Sequence, residues 1–225
     1  MKTLLDFFNR IDEYYAYLTA KGQTFTSDGW PLIDKNCFLT DIPDIMVPFY
    51  KRRDKRVQKF SSIAICSFSS DKDIYPRLDK VLEDIEEYKK YAAVVAADLT
   101  VTEDMDVEWQ RVTMLMNQLF MSILAINGIK VIANTRTGSS QMVVCLRNIP
   151  RDVMYASGFL GCPKTLEFNY DYIAKILALR PSMLLIYGKC SVTDRDKLSR
   201  MGIKFKVYDD YRTLNKKWRK SNVGC

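Results

Sequence analysis

The 225-residue chain contains no histidine. That absence removes a Ser-His-Asp or Cys-His nucleophile, a His-ligated zinc and a histidine general base. Glycine-rich phosphate loops are missing as well: neither GxGxxG nor GxxxxGK[ST] occurs, which argues against a dinucleotide enzyme or a P-loop NTPase. The six cysteines, at 37, 66, 145, 162, 190 and 225, form no CxxC pair, and several lie in apolar runs where a thiol acts as a small hydrophobe. No NAD, haem or zinc site is therefore expected. No apolar stretch reaches the ~20 residues of a membrane span. The start, Met1-Lys2-Thr3-Leu4-Leu5-Asp6, carries acid too early for a signal peptide. The chain reads as cytosolic. Any catalysis has to use carboxylates, Lys, Tyr or Cys, with or without a hard cation such as magnesium.

What the chain does have is clearest between residues 92 and 136. Ala92-Ala93-Val94-Val95-Ala96-Ala97 is a continuous apolar run that stops at Asp98. A long amphipathic helix follows, and then Lys130-Val131-Ile132-Ala133, which stops at Asn134 and Arg136. Two apolar strands joined by a helical crossover are what a parallel sheet covered on both faces requires. Ligand sites on such sheets lie at the carboxyl ends of the strands, so the polar residues ending each run mark the place to look.

The remainder continues this rhythm. Thr3 to Lys21 reads as a helix, with Leu4, Phe7, Phe8, Ile11, Tyr14, Tyr15 and Leu18 at helical spacing and Gly22 as its stop. Residues 22–44 are a turn-rich arm. Strands are expected at 45–50, 62–68, 153–157, 183–187 and 205–208, beside the two already placed. Helices are expected at 76–91, 107–127, 165–179 and 193–201, with a short one at 139–148 capped by Ser139 or Ser140. Helix 107–127 should turn Val107, Val112, Leu115, Leu119, Ile123 and Ile126 inward, and helix 76–91 should bury Leu78, Val81, Leu82, Ile85 and Tyr88. About seven strands alternating with helical patterns make a single α/β domain of repeated βα units with a mainly parallel sheet. Either an incomplete (β/α) barrel or an open doubly wound sheet fits; the succession of units without a long reversal favours barrel-like closure. Residues 45–210 would be the core, and 211–225 a basic tail.

The ordered motifs add a resemblance. Ala97-Asp98-Leu99-Thr100, Asp104-Met105-Asp106, the helix, Gly128-Ile129-Lys130-Val131-Ile132-Ala133-Asn134, the turn Cys145-Leu146-Arg147-Asn148-Ile149-Pro150, a strand to Gly161 and Leu185-Ile186-Tyr187-Gly188 follow one another at characteristic spacing. In this order the chain, over roughly residues 42–209, resembles domain-of-unknown-function family 4417, whose members are uncharacterised phage, plasmid and bacterial proteins. The resemblance implies the fold and a mobile-element context; it implies no activity. Thr113, Leu115, Met116, Gln118, Thr137 and Leu146-Arg147-Asn148 depart from the family's pattern.

Candidate chemistry follows from the strand ends. Asp98, ending the most apolar strand, is the candidate catalytic carboxylate or metal ligand. Asp104 and Asp209, with Asp71 and Asp73, follow other strand ends and could converge on it to hold magnesium for phosphodiester hydrolysis. The plain alternative is that Asp is common in turns. Asn134, Arg136, Tyr187 and Lys189 are candidate ligand-binding residues. The run 51–59 has six basic residues in nine, and Lys216-Lys217-Trp218-Arg219-Lys220 is a second basic cluster; both contribute to the net charge of +7. Arg52, Arg53, Lys55 and Arg56 are the candidate nucleic-acid contacts, with a solvated basic face as the ordinary alternative. Three readings follow: an accessory factor binding nucleic acid or a host or phage protein, a magnesium-assisted hydrolase or nuclease, and a family member whose site has lapsed.

Overall fold

The computed structural model describes residue 1 and residues 3–158 and 170–221. Seven strands form one sheet in strict chain order: β1 (Ile45–Pro48), β2 (Ile63–Cys66), β3 (Ala93–Val95), β4 (Val131–Asn134), β5 (Met154–Gly158), β6 (Met183–Tyr187) and β7 (Phe205–Tyr208). Every neighbouring pair is parallel. The helices are α1 (Leu4–Ala20), α2 (Asp71–Asp79), α3 (Ile85–Tyr88), α4 (Val107–Ile126), α5 (Tyr170–Leu179), α6 (Val192–Arg200) and α7 (Tyr211–Ser221). The β1–β2 and β4–β5 crossovers use 3₁₀ turns instead of α-helices.

The sheet curls into a nearly closed barrel with one unsealed seam, between β7 and β1. Side chains cross that seam where no ladder does: Lys206 Nζ and Tyr208 Oη both donate to the Pro43 carbonyl, at 2.8 and 2.7 Å. The curl is also recorded in the packing. One buried cluster takes alternate residues from all seven strands, including Met46, Ala64, Val95, Ile132, Ala156, Leu185 and Tyr208, and fills the barrel interior. The intervening residues, such as Val47, Ile65, Val94, Val131, Tyr155 and Ile186, face outward into the helical layer. Both strand faces are thus buried, which is why the strands read as unbroken apolar runs. Alanines at 64, 93 and 156 leave room for Phe68 and Tyr187, whose rings stack at 5.6 Å near the carboxyl end. A Cβ on Gly158 would lie 2.3 Å from the Phe68 ring, so that strand end admits only glycine.

α4 corrects one expectation. Its residues 113–125 are buried on every side, while Val107 is 43% exposed and Val112 and Ile126 are only half-buried. The reason is α1, which lies over α4's outer face and buries Phe7, Ile11, Tyr14 and Leu18. Each such side chain stabilises the docking by roughly 1.5–3 kcal/mol. The residues 22–44 belong to this layer too, with Trp30, Ile33 and Phe38 buried and Leu39 N–H donating to the Val131 carbonyl.

Two helices differ from the sequence pattern. The expected helix 76–91 is two pieces, α2 and α3, and α2 begins five residues early. Asp71 and Asp73 occupy its first turn, where carboxylates favour the positive end of a helix. Pro76 is tolerated inside α2 because it and Lys72, whose carbonyl loses a donor, are both exposed. Leu78, Val81, Ile85 and Tyr88 are buried as the pattern implies, but Leu82 is exposed. The segment Ser140–Leu146 is 3₁₀, and the Ser139 hydroxyl bonds Gln110 Oε1 of α4 instead of capping it. The first part of helix 165–179, the strand end at Gly161, Cys162 and Cys225 lie outside the described residues.

Inside α2, Arg77 is 5% exposed and has no carboxylate partner among the described residues. Its guanidinium donates to Tyr88 Oη, Ser67 Oγ and the Cys66 carbonyl, and lies over the Phe49 ring at 4.1 Å. Ring quadrupoles and neutral acceptors replace the counter-ion.

Candidate functional site at the carboxyl end of the barrel

Three of the residues expected at strand ends do meet. Asn134, the last residue of β4, donates Nδ2 to Asp98 Oδ1 at 2.8 Å and to the Ala97 carbonyl at 3.1 Å. Its Oδ1 accepts the Arg136 backbone N–H at 3.0 Å. Arg136 then forks onto Asp98, with Nε to Oδ1 and Nη2 to Oδ2 both at 2.9 Å. Parallel bonds of this kind combine charge with fixed geometry. The Asp98 side chain is 7% exposed and that of Arg136 31%, so the guanidinium faces partly outward. Beside them a cleft of about 20 Å³ is lined by Asn134, Arg136, Met114, Asn117, Gln118 and Met121. That is room for about one water, not for a drug-sized ligand. The polar residues of α4 are engaged already: Asn117 Oδ1 accepts from Leu99 N–H, and Gln118 links the Cys145 carbonyl to Asn148.

The other carboxylates have separate tasks. Asp104 is exposed, and hydrogen bonding from Thr102 holds its carboxyl below the usual range. Asp209 pairs with Lys217 of α7 at 2.5 Å. Asp71 accepts from the backbone and hydroxyl of Thr100, and Asp73 accepts from Ser70. Among the described residues no group of three or more Cys, Asp or Glu is placed to hold a metal ion. Tyr187 belongs to the barrel interior; burial pushes its hydroxyl far above the ordinary range, and that oxygen accepts the Tyr211 backbone N–H. Lys189 is exposed beyond β6.

The basic run divides in two. Arg52 lies over the Phe49 ring at 3.7 Å, donates to the Phe49 carbonyl and stands 3.5 Å from Glu87. Arg56 forks onto Asp54 at 2.8 and 2.5 Å, donates to Asn215 Oδ1 of α7 at 2.5 Å and sits over the Trp218 ring at 5.0 Å. The Tyr211 hydroxyl also donates to Asp54. Bonds from Arg56, then from Tyr211, hold the Asp54 carboxyl well below the usual carboxylate range. Of the four candidate nucleic-acid contacts, Arg52 and Arg56 are thus engaged within the chain, and Arg53 and Lys55 are exposed.

The supposed tail is likewise a helix. Asp210 Oδ1 accepts the Thr213 N–H at its start, and Tyr211, Leu214 and Trp218 share the inner side. That i, i+3, i+7 spacing was the available signal. Because the barrel brings β7 round to β1, the two basic clusters, far apart in sequence, form one surface. It presents Arg53, Lys55 and Lys59 beside Arg212, Lys216, Arg219 and Lys220, all exposed. Lys51 contributes at its edge, 5.5 Å over the Tyr211 ring.

Sequence reading also missed Lys175, which sits on α5 where an amphipathic pattern would place it in solvent. Its ammonium instead donates to Thr137 Oγ1 at 3.2 Å, just beyond β4. Burial, and then the nearby Arg136 charge, bring its pKa down to about 8.

Among known proteins, the family described as Domain of unknown function (DUF4417) matches over residues 26–209. The chain belongs to that family. No curated protein and no solved structure matches it. No helix among the described residues is long and apolar enough to cross a membrane.

Proposed function

We propose that this protein binds nucleic acid through its phosphates, as an accessory factor without turnover, and that the surface built by residues 51–59 and α7 is the contact. The observation that carries the reading is the junction itself: Arg56 to Asn215, and Tyr211 to Asp54, hold two basic segments together at the barrel's carboxyl edge. Of the acids beside that surface, Asp54 and Asp209 pair with Arg56 and Lys217, and Asp210 caps α7 at the Thr213 N–H, which leaves the exposed cations in excess. Such a surface gives affinity without sequence preference, by releasing counterions from the backbone. A role in a phage or other mobile element is what the family resemblance implies. Asp98 supports a binding reading over hydrolysis, because both of its oxygens are occupied by Arg136 and Asn134.

The test is binding to duplex and single-stranded DNA and RNA at several salt concentrations. The wild type should lose affinity steeply with salt, by a slope of roughly −0.9 per duplex phosphate contacted. Combining Arg53→Ser, Lys55→Ser, Lys216→Ser and Arg219→Ser should weaken binding to all sequences and flatten the slope, with the fold intact. Salt-insensitive or absent binding by the wild type defeats the reading.

A further inference from the structure

The turn that follows β1 sends two neighbouring rings opposite ways. Phe49 and Tyr50 open a 3₁₀ turn, in which successive side chains point about 120° apart. Phe49 goes inward and is buried, with the Arg52 and Arg77 guanidiniums 3.7 and 4.1 Å from its ring centre and the Tyr88 ring 5.1 Å away. Tyr50 is thereby turned outward and is 49% exposed. With Phe49 anchored, the turn is fixed, and only the two side-chain torsions of Tyr50 are left to order when something settles on its ring.

Tyr50 does not stand alone. Lys51 Nζ lies 5.3 Å from its ring centre and 5.5 Å from that of Tyr211, so two rings share one ammonium. The Tyr211 ring meets Trp218 edge-on at 6.3 Å, and Arg56 lies over Trp218 at 5.0 Å. Three rings interleaved with two cations thus run across the junction between residues 51–59 and α7. Tyr211 and Trp218 are half-buried, which leaves Tyr50 as the ring most open to a partner. The groups around it decide what this end can hold. Asp73 of α2, Asp210 and Arg212 of the α7 start and the Cys66 thiol act on its hydroxyl, and Lys51 lies over its ring. Burial, and then Asp73, push that hydroxyl up, so the ring is neutral at ordinary pH. The two acids each accept a bond at the start of their own helix and face two cations, Lys51 and Arg212. Charge beside the ring is therefore near balance and offers a phosphate little. The excess of exposed cations lies along the same surface, at Arg53, Lys55, Lys216, Arg219 and Lys220. An open ring beside a cationic track matches a nucleotide, with its base on the ring and its phosphates on the cations. A duplex hides its base faces in its own stack, whereas a single strand leaves them free.

We infer that Tyr50 is a stacking platform for an unpaired base, and that the nucleic acid taken by the basic surface is single-stranded. The inference rests on the nucleic-acid reading and narrows it. Every base has a π face, so affinity for the single strand should vary little with sequence.

The experiment compares oligothymidylate, oligouridylate and a DNA duplex of equal length by fluorescence anisotropy at fixed salt. It uses the full chain and its Tyr50→Ala, Tyr50→Leu and Tyr50→Trp variants, with circular dichroism to check the fold. The wild type should favour the single strands. Tyr50→Ala and Tyr50→Leu should lose about tenfold in affinity for them and change duplex affinity by less than about twofold, while Tyr50→Trp keeps single-strand binding. Leucine preserves apolar bulk without a π face, so a ring that only packs would leave Tyr50→Leu near wild type. Oligouridylate carrying 5-iodouracil should also crosslink to Tyr50 on irradiation. A wild type that prefers the duplex, or losses in the two variants that are absent or equal on single strand and duplex, overturns the stacking site and leaves the nucleic-acid reading standing. A wild type that binds none of the three defeats that reading and this inference together.

Discussion

Two arginine–aspartate forks flank the mouth of this barrel. Asp98 and Arg136 are 38 residues apart in sequence and join the ends of β3 and β4. Asp54 and Arg56 are two apart and, through Asn215 and Tyr211, join the β1–β2 loop to α7. The carboxylate is deeper in the first, 7% exposed against 16%. The strand-end fork joins elements that the ladder already holds, so little entropy is lost in forming it and much is lost electrostatically if one partner goes. The loop fork anchors a helix with a single apolar side, so its value lies in what it attaches. The same pair of side chains therefore acts as a strut in one place and as a latch in the other.

The largest effect should come from breaking the strut. Asp98→Ala leaves the Arg136 guanidinium partly buried and Asn134 Nδ2 short of an acceptor. It should cost about 2–3 kcal/mol, read as a lower denaturant midpoint at unchanged slope. An unchanged midpoint would show that water substitutes for the carboxylate.

Breaking the latch should cost less in global stability but act locally. Arg56→Ala should release α7, seen as faster proteolysis after residue 210 and a red shift of Trp218 emission in a variant lacking Trp30 and Trp109. Protonating Asp54 should do the same. Its folded pKa is depressed below the ordinary carboxylate value, so its contribution is present above about pH 4 and is lost as pH falls further. If α7 stays docked in Arg56→Ala at neutral pH, then Tyr211, Leu214 and Trp218 hold it without the fork.

The smallest effect is also the most diagnostic of the strut's surroundings. Lys175 has a folded pKa of about 8, against 10.5 ordinarily. Below pH 8 it is charged in both states and its burial penalty is constant. Between about 8 and 10.5 the unfolded chain holds more protons, so stability rises with pH. Urea unfolding of wild type and Lys175→Met should converge across that window, with the methionine variant the more stable at pH 7. A constant difference would place Lys175 in water.

These contrasts also explain what could be read from sequence. The seven strands were legible because burial on both faces leaves unbroken apolar runs such as Ala92–Ala97. The same feature hid the curl: with Val94 and Val95 equally apolar, nothing marks which one faces the barrel interior. The burial of α4 around its whole circumference depends on α1, which only tertiary packing reveals. Asp98, Asn134 and Arg136 were legible because each ends or follows a strand, and parallel topology sends such residues to one edge. Their pairing was not, since Asp98 could equally have faced a metal. Lys175 escaped because a lysine on an amphipathic helix ordinarily points to water, and only the close approach of Thr137 and Arg136 shows otherwise. The basic clusters were visible separately, whereas their union required the barrel to close.

That closure has a consequence for the order in which the protein is made. The bond from Tyr208 to the Pro43 carbonyl spans 165 residues, so closing the seam orders nearly the whole chain before any return is gained. Strands β1 to β6 can pair with neighbours as they leave the ribosome, but the seam waits for residue 208 and the latch for residue 215. A nascent or truncated chain can therefore hold most of its sheet while its two basic segments remain unjoined. The composite surface comes into being only once α7 has been made and has docked.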